Sequence, residues 1–219
     1  GVPSAKNACL LKILFIPLLL SKKIVVKLSF WNNESFADID KNLPDGKNMG
    51  GLPQIVYFCL HTDVLTFPTE PKMSDEDITL EKMGELVGDL TLKEGKKMHS
   101  FYITDDEGKL DFESVGEKDG KSFSEKLRIY NPGLQSKLLG FVNIAKNESL
   151  VFLVPDCNDN YFLMGDTLRG ATLDSIENMT TGQKTEERPG AGMVFAYKTA
   201  NVYRYVGKFP ASTPTEVTA

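Results

Sequence analysis

From Leu86 to Tyr130 the chain breaks into four short stretches of alternating apolar and polar side chains, each ended by a turn signal. Alternation with a period of two gives a strand one dry face and one wet face, so these stretches must pair into sheets and cover the dry side. One amphipathic stretch follows, Leu134 to Lys146, with Leu134, Leu138, Phe141, Val142 and Ala145 on a single helical stripe. Strands, one helix and then more strands confine the chain to a mainly β fold. The expected architecture is an antiparallel β-sandwich or squashed barrel with one flanking α-helix and long loops.

The individual elements follow from local chemistry. Gln54–Leu60 (QIVYFCL) is rich in β-branched and aromatic residues and predicts a buried strand. Pro68 and Pro71 make His61–Asp77 a long loop, of which Asp63–Asp77 is expected to be dispensable for the fold. Ile78–Met83 suits helix or strand equally, and Leu86–Leu92 predicts a strand. In Lys97–Thr104, His99, Phe101 and Ile103 face away from Met98, Ser100 and Tyr102. The turn Asp105–Gly108 is expected to close a hairpin onto Lys109–Val115. In Ser122–Tyr130, Phe123, Leu127 and Ile129 share a face on which Glu125 is the exception. Asn131-Pro132-Gly133 ends that strand. Leu150–Val154 and Asn160–Gly165 predict another hairpin, Gly170–Ile176 a strand, and Glu177–Gly192 a loop. Met193–Lys198 and Val202–Val206 are the expected final strands, forming a closing hairpin.

Charge is unevenly spread over the 219 residues, whose formal net charge is −5. Residues 1–33 hold five lysines and no acid, which leaves 20 bases against 30 acids, or −10, for the rest. An acidic body repels nucleic acid, so specific nucleic-acid binding is not expected of it. Cys9, Cys59 and Cys157 are odd in number and far apart, which argues against a disulfide framework or a cysteine-rich zinc site. The run Leu10–Leu20 (LLKILFIPLLL) could be the apolar region of a signal peptide, but Lys12 and Pro17 interrupt it. It is too short to span a bilayer as a helix, and no membrane partner is expected. An arm that packs on a neighbouring subunit, a targeting signal and a segment foreign to the domain all remain open. The composition shift places an N-terminal extension at 1–35, a β-sandwich domain at 36–209 and a flexible tail at 210–219.

Motifs for chemistry are weak. Asp156, Asn158 and Asn160 have the spacing of calcium-loop ligands, but Tyr161 stands where glycine belongs and Thr167 where glutamate belongs. Gly190-Ala191-Gly192 begins like a dinucleotide fingerprint, yet Phe195 replaces its third glycine. Cys59 and His61 lie near one another without an orienting base. No catalytic, cofactor-binding or metal-ligating residue is therefore assigned, and no enzyme is expected. The acids Asp111, Glu113, Glu117, Asp119 and Glu125 cluster around one predicted hairpin and suit an exposed acidic face better than a carboxylate pair for catalysis.

The order of the runs is itself informative. Lys47-Asn48-Met49-Gly50-Gly51-Leu52 leads into a strand, and Gly88–Lys96 (GDLTLKEGK) precedes Phe101-Tyr102-Ile103-Thr104. Tyr130-Asn131-Pro132-Gly133 precedes the helix, and Thr180-Thr181-Gly182 precedes the last strands. Over about residues 36–209 this layout resembles tail-tube-type subunits among the virion structural proteins of Bacteroidota phages and prophages. The resemblance implies a self-assembling subunit forming hexameric, stacked rings around a DNA conduit. Its partners would be copies of itself and other virion proteins, and its location the virion, after synthesis in the host bacterial cytoplasm. It implies that the loop with Asp63, Phe67, Pro68, Pro71 and Met73 reaches a neighbouring subunit. It also implies that Asp111, Glu113, Glu117, Asp119 and Glu125 line the lumen. Two alternatives stand beside it: a capsid decoration or connector protein, and a secreted β-sandwich that binds glycan or protein.

Overall fold

The structure is a computed structural model that describes residues 37–41, 48–72, 74 and 78–210. The N-terminal extension 1–35, the tail from 211 onward, Met73 and Asp75–Asp77 lie outside the described residues. Within them the protein is mainly β, built from antiparallel sheets with one helix.

The strands are β1 (Ile55–Leu60), β2 (Val64–Thr66), β3 (Glu85–Leu86), β4 (Thr91–Leu92), β5 (His99–Tyr102), β6 (Lys109–Val115) and β7 (Ser122–Pro132). Helix α1 (Ser136–Ala145) follows, then β8 (Leu150–Pro155), β9 (Tyr161–Met164), β10 (Thr172–Thr180), β11 (Gly190–Thr199) and β12 (Arg204–Tyr205). One sheet has the order β3-β12-β9-β8-β1-β5, a second the order β10-β11-β7-β6, and β2 and β4 form a small ladder. Every pairing is antiparallel except β12 with β3.

The reason for this arrangement is clearest at β8. All six of its residues, LVFLVP, are buried, so both faces of the strand are covered. Leu150, Phe152 and Val154 join a core with Leu127, Ile129, Met193 and Phe195 of the four-stranded sheet. Val151 and Leu153 point the other way, into a second core with Cys59, Val64, Leu90, Leu92 and Tyr205. The six-stranded sheet is thus the middle of three layers. The helix covers part of the first core: Leu138, Val142 and Ala145 are buried in it. Phe141 packs its ring 5.0 Å from Phe58, 5.2 Å from Phe101 and 6.1 Å from Phe195, so it bridges both sheets. Phe141→Ala should cost about 3 kcal/mol, read as a lowered urea midpoint; an unchanged midpoint would place this ring outside the core.

Several sequence expectations need correction. The described part of His61–Asp77 is not a free loop. His61–Asp63 forms a 3-10 turn, β2 pairs with β4, Val64 and Pro71 are buried, and Thr69 bridges to Val87. The prolines exclude long strands but not a covering layer, and removing this segment would uncover the second core. Leu86–Leu92 is two short strands in different sheets, because Gly88 takes φ +98° and turns the chain between them. Asp105–Gly108 does not close a hairpin. The Ile103 N–H bonds to Gln54 O in one sheet, while the Thr104 N–H bonds to Tyr130 O beside the other. The chain changes sheets there, and the turn carries it from β5 to β6. The last two strands likewise lie in different sheets, β11 beside β7 and β12 beside β9. Strand β10 extends to Thr180, well into the expected loop.

Candidate functional site

The β6–β7 hairpin places the acids singled out above, and it divides them. Asp111 and Glu113 stand on the outer face of β6, each beside a base. Lys109 Nζ lies 2.8 Å from Asp111, and Lys126 Nζ lies 3.1 Å from Glu113. Farther across the same face, Arg128 Nε lies 3.3 Å from Glu177. Glu117 and Asp119 are exposed in the hairpin tip. This face is therefore charge-balanced along the strands, and the expected acidic stripe is broken by Lys109 on the same strand and by Lys126 across the ladder. Exposed pairs of this kind add little stability, but they neutralise one another at short range.

Glu125 does not belong to that face. It points into the sandwich, is 4 % exposed, and has Phe112 of β6 and Tyr197 of β11 as its ladder neighbours. Burial pushes its carboxyl up to about 8, and its Oε2 has no hydrogen-bond partner among the described residues. It lines a small cavity with Glu70, Asp166, Tyr197, Asn201 and Tyr203. There the Tyr197 hydroxyl donates to Asp166 Oδ2 at 2.7 Å, and the Tyr203 hydroxyl donates to Glu70 at 3.2 Å. Burial first, then the bond to Asp166, raises the Tyr197 phenol. The sequence signal for Glu125 was its place on an apolar strand face, which contradicts its inclusion with the exposed acids.

The proposed inter-subunit loop residues are engaged within their own chain. Asp63 pairs with Lys96 at 3.0 Å, Phe67 packs against the second core and against the His61 ring, and Pro68 lines the cavity around Glu125. Pro71 is buried, and Met73 lies outside the described residues.

The other motifs have structural explanations. Asp156 Oδ1 accepts the backbone N–H groups of Asn158 and Asn160, each at 2.8 Å, which fixes the β8–β9 turn. Asn158 in turn holds Met49 through both backbone groups. Gly190 and Gly192 are strand residues at close approaches: a Cβ on Gly192 would sit 2.6 Å from Glu177 O. Cys59 is buried, and burial, then the Asp63 charge, push its thiol up to about 12, which opposes thiolate chemistry. His61 Nε2–H donates to Asp166 O at 2.7 Å. Among the described residues no three His, Cys, Asp or Glu side chains are placed to hold a metal, and no helix is long and apolar enough to cross a membrane.

Two sheet edges complete the picture. Strand β6 is one edge of the four-stranded sheet and β10 the other. Phe112 and Val115 at the first edge, and Ile176 and Met179 at the second, are apolar and exposed. The β6 ladder is regular, whereas β10 carries two register shifts and Asn178 at φ +53°. No family model matches the chain, and neither does any curated protein or solved structure.

Proposed function

We propose that this chain is a tail-tube-type virion subunit that joins copies of itself into stacked rings around a DNA conduit. One observation carries the reading: among the described residues, the sheet β10-β11-β7-β6 has an even number of antiparallel strands and two unpaired edges. In a ring, all subunits share one orientation about the axis. Strands β10 and β6 run in opposite directions, so β6 of one copy meets β10 of the next antiparallel. Head-to-tail pairing then continues one sheet from copy to copy, and the ring closes when the rotation allows it. The exposed apolar residues at both edges would be covered at the joint. The β6–β7 outer face, with its paired charges, would line the lumen.

Mass photometry and negative-stain microscopy of the purified chain test this reading. Rings or tubes at high concentration are expected. A strict monomer at every concentration and salt would overturn it.

The lumen assignment makes its own prediction. Lys109, Lys126 and Arg128 are held by Asp111, Glu113 and Glu177, so the wall does not retain phosphate. The double variant Asp111→Lys, Glu113→Lys should fold as before, within about 1 kcal/mol, because the lost pairs are exposed. It should retain double-stranded DNA at low salt, and added salt should release it. A variant that passes a DNA column as freely as the parent would argue against a neutralised wall.

A further inference from the structure

Among the described residues, strand β5 is the last strand of the six-stranded sheet and pairs only with β1. The Ile103 N–H bonds to Gln54 O at 3.0 Å on the β1 side. In an antiparallel ladder successive residues alternate sides, so Phe101 and His99 also turn their backbone groups to β1. Ser100 and Tyr102 therefore turn theirs to the free edge. The next residue on that side, Thr104, bonds to Tyr130 O at the end of β7. From there the two segments part, and a cleft of about 440 Å³ opens between the β5 edge and α1.

Asn131 stands where the cleft begins. Its Nδ2 donates to Tyr102 O at 2.9 Å. A carbonyl can only accept, so this bond fixes the amide orientation and leaves Oδ1 as the free acceptor. That oxygen is buried, in a residue 7 % exposed, and has no donor among the described residues. A buried acceptor without a partner is costly, and a ligand N–H would remove the cost. The cleft wall supplies the rings of Phe58, Phe101 and Phe141, while His99 and Lys137 are its lining bases and no carboxylate lines it.

We propose that the β5 edge and this cleft form a β-addition site for an extended peptide of another chain, one that alternates apolar and acidic side chains. The peptide backbone pairs with the N–H and C=O of Ser100 and with the N–H of Tyr102, whose carbonyl is held by Asn131, and one of its own N–H groups meets Asn131 Oδ1. An apolar side chain enters the ring-lined cleft, and an acidic one lies toward Lys137. The site lies on a different sheet from the β6 and β10 edges, and its occupation does not depend on ring formation.

The test uses the full chain, isotope-labelled for amide NMR. The probes are acetylated, amidated heptapeptides in which Val, Ile, Leu or Phe alternates with Glu. At least one is expected to bind below about 1 mM. It should shift the amide signals of Ser100 and Tyr102 and slow their hydrogen exchange. Methylating the peptide nitrogens that face the edge should weaken binding about tenfold or more, the loss of one hydrogen bond or more. Ser100→Pro removes a free edge N–H without breaking the ladder and should have the same effect. The methylated peptides give the same readout without altering the protein. No binding by any library member, shifts confined to other surfaces, or binding indifferent to peptide methylation would each overturn the proposal. The last of these outcomes would mark a side-chain pocket for small apolar ligands.

Discussion

Truncating Leu153 to alanine should destabilise the protein as strongly as truncating Phe152, although the two residues point to opposite faces of β8. Phe152 is fully buried between the two large sheets, with its ring 4.7 Å from that of Phe195 and 6.3 Å from that of Phe58. Phe152→Ala should cost roughly 3–5 kcal/mol. Leu153 is equally buried, but its neighbours are Val64, Leu90 and Leu92 from the segment that covers the far face. Leu153→Ala should cost roughly 2–5 kcal/mol. Urea denaturation of both variants checks this. A sandwich with one solvated outer face predicts a large loss for Phe152 and almost none for Leu153. That second outcome would remove the third layer and return His61–Asp77 to the status of a loop outside the core.

What the sequence made legible was the face of each element, because periodicity reports faces directly. The apolar run of β8, the helical stripe through Leu138 and Val142, and the β6–β7 hairpin all followed from it. Partners were harder to read, since alternation does not say which sheet a strand joins. The turn at Asp105–Gly108 has hairpin chemistry, yet it carries the chain between sheets. The covering layer was hidden for a different reason. Its strands β2 and β4 have three and two residues, too few for any period to register.

The acids show the same limit. Lys126 lies opposite Asp111 and reaches diagonally to Glu113, so the neutralising pair exists only once the register is known. Glu125 was visible as an anomaly on its strand. Its meaning, a carboxyl sealed against Tyr197 and Phe112, required the second sheet. Asn131 gave no sequence signal beyond its place in a turn, because its orphaned oxygen depends on the bond to Tyr102.

Glu125 should make the protein lose stability as pH rises from acid to mildly alkaline conditions, and Glu125→Gln should abolish that loss. Burial raises the folded-state carboxyl from its ordinary 4.5 to about 8, so between those values the folded state holds a proton that the unfolded state has released. Stability from this group is fully present below the unfolded value. It falls as pH rises through the window and levels off above about 8. A tenfold gain in proton affinity is worth about 1.4 kcal/mol, so the difference accumulated by pH 8 is roughly 4 kcal/mol. Glutamine has nearly the same shape and cannot ionise. Its own buried amide costs a constant amount at every pH, which sets the offset between the two proteins but not the slope. The ionisable groups other than Glu125 are common to both proteins, so their contributions largely cancel in the comparison. Urea denaturation at pH 5, 6.5 and 8 reads the difference directly. The stability of Glu125→Gln relative to the parent should rise steadily across that series. Parallel pH profiles would show that Glu125 ionises freely in the folded protein, and that its side chain turns out to water instead of into the sandwich.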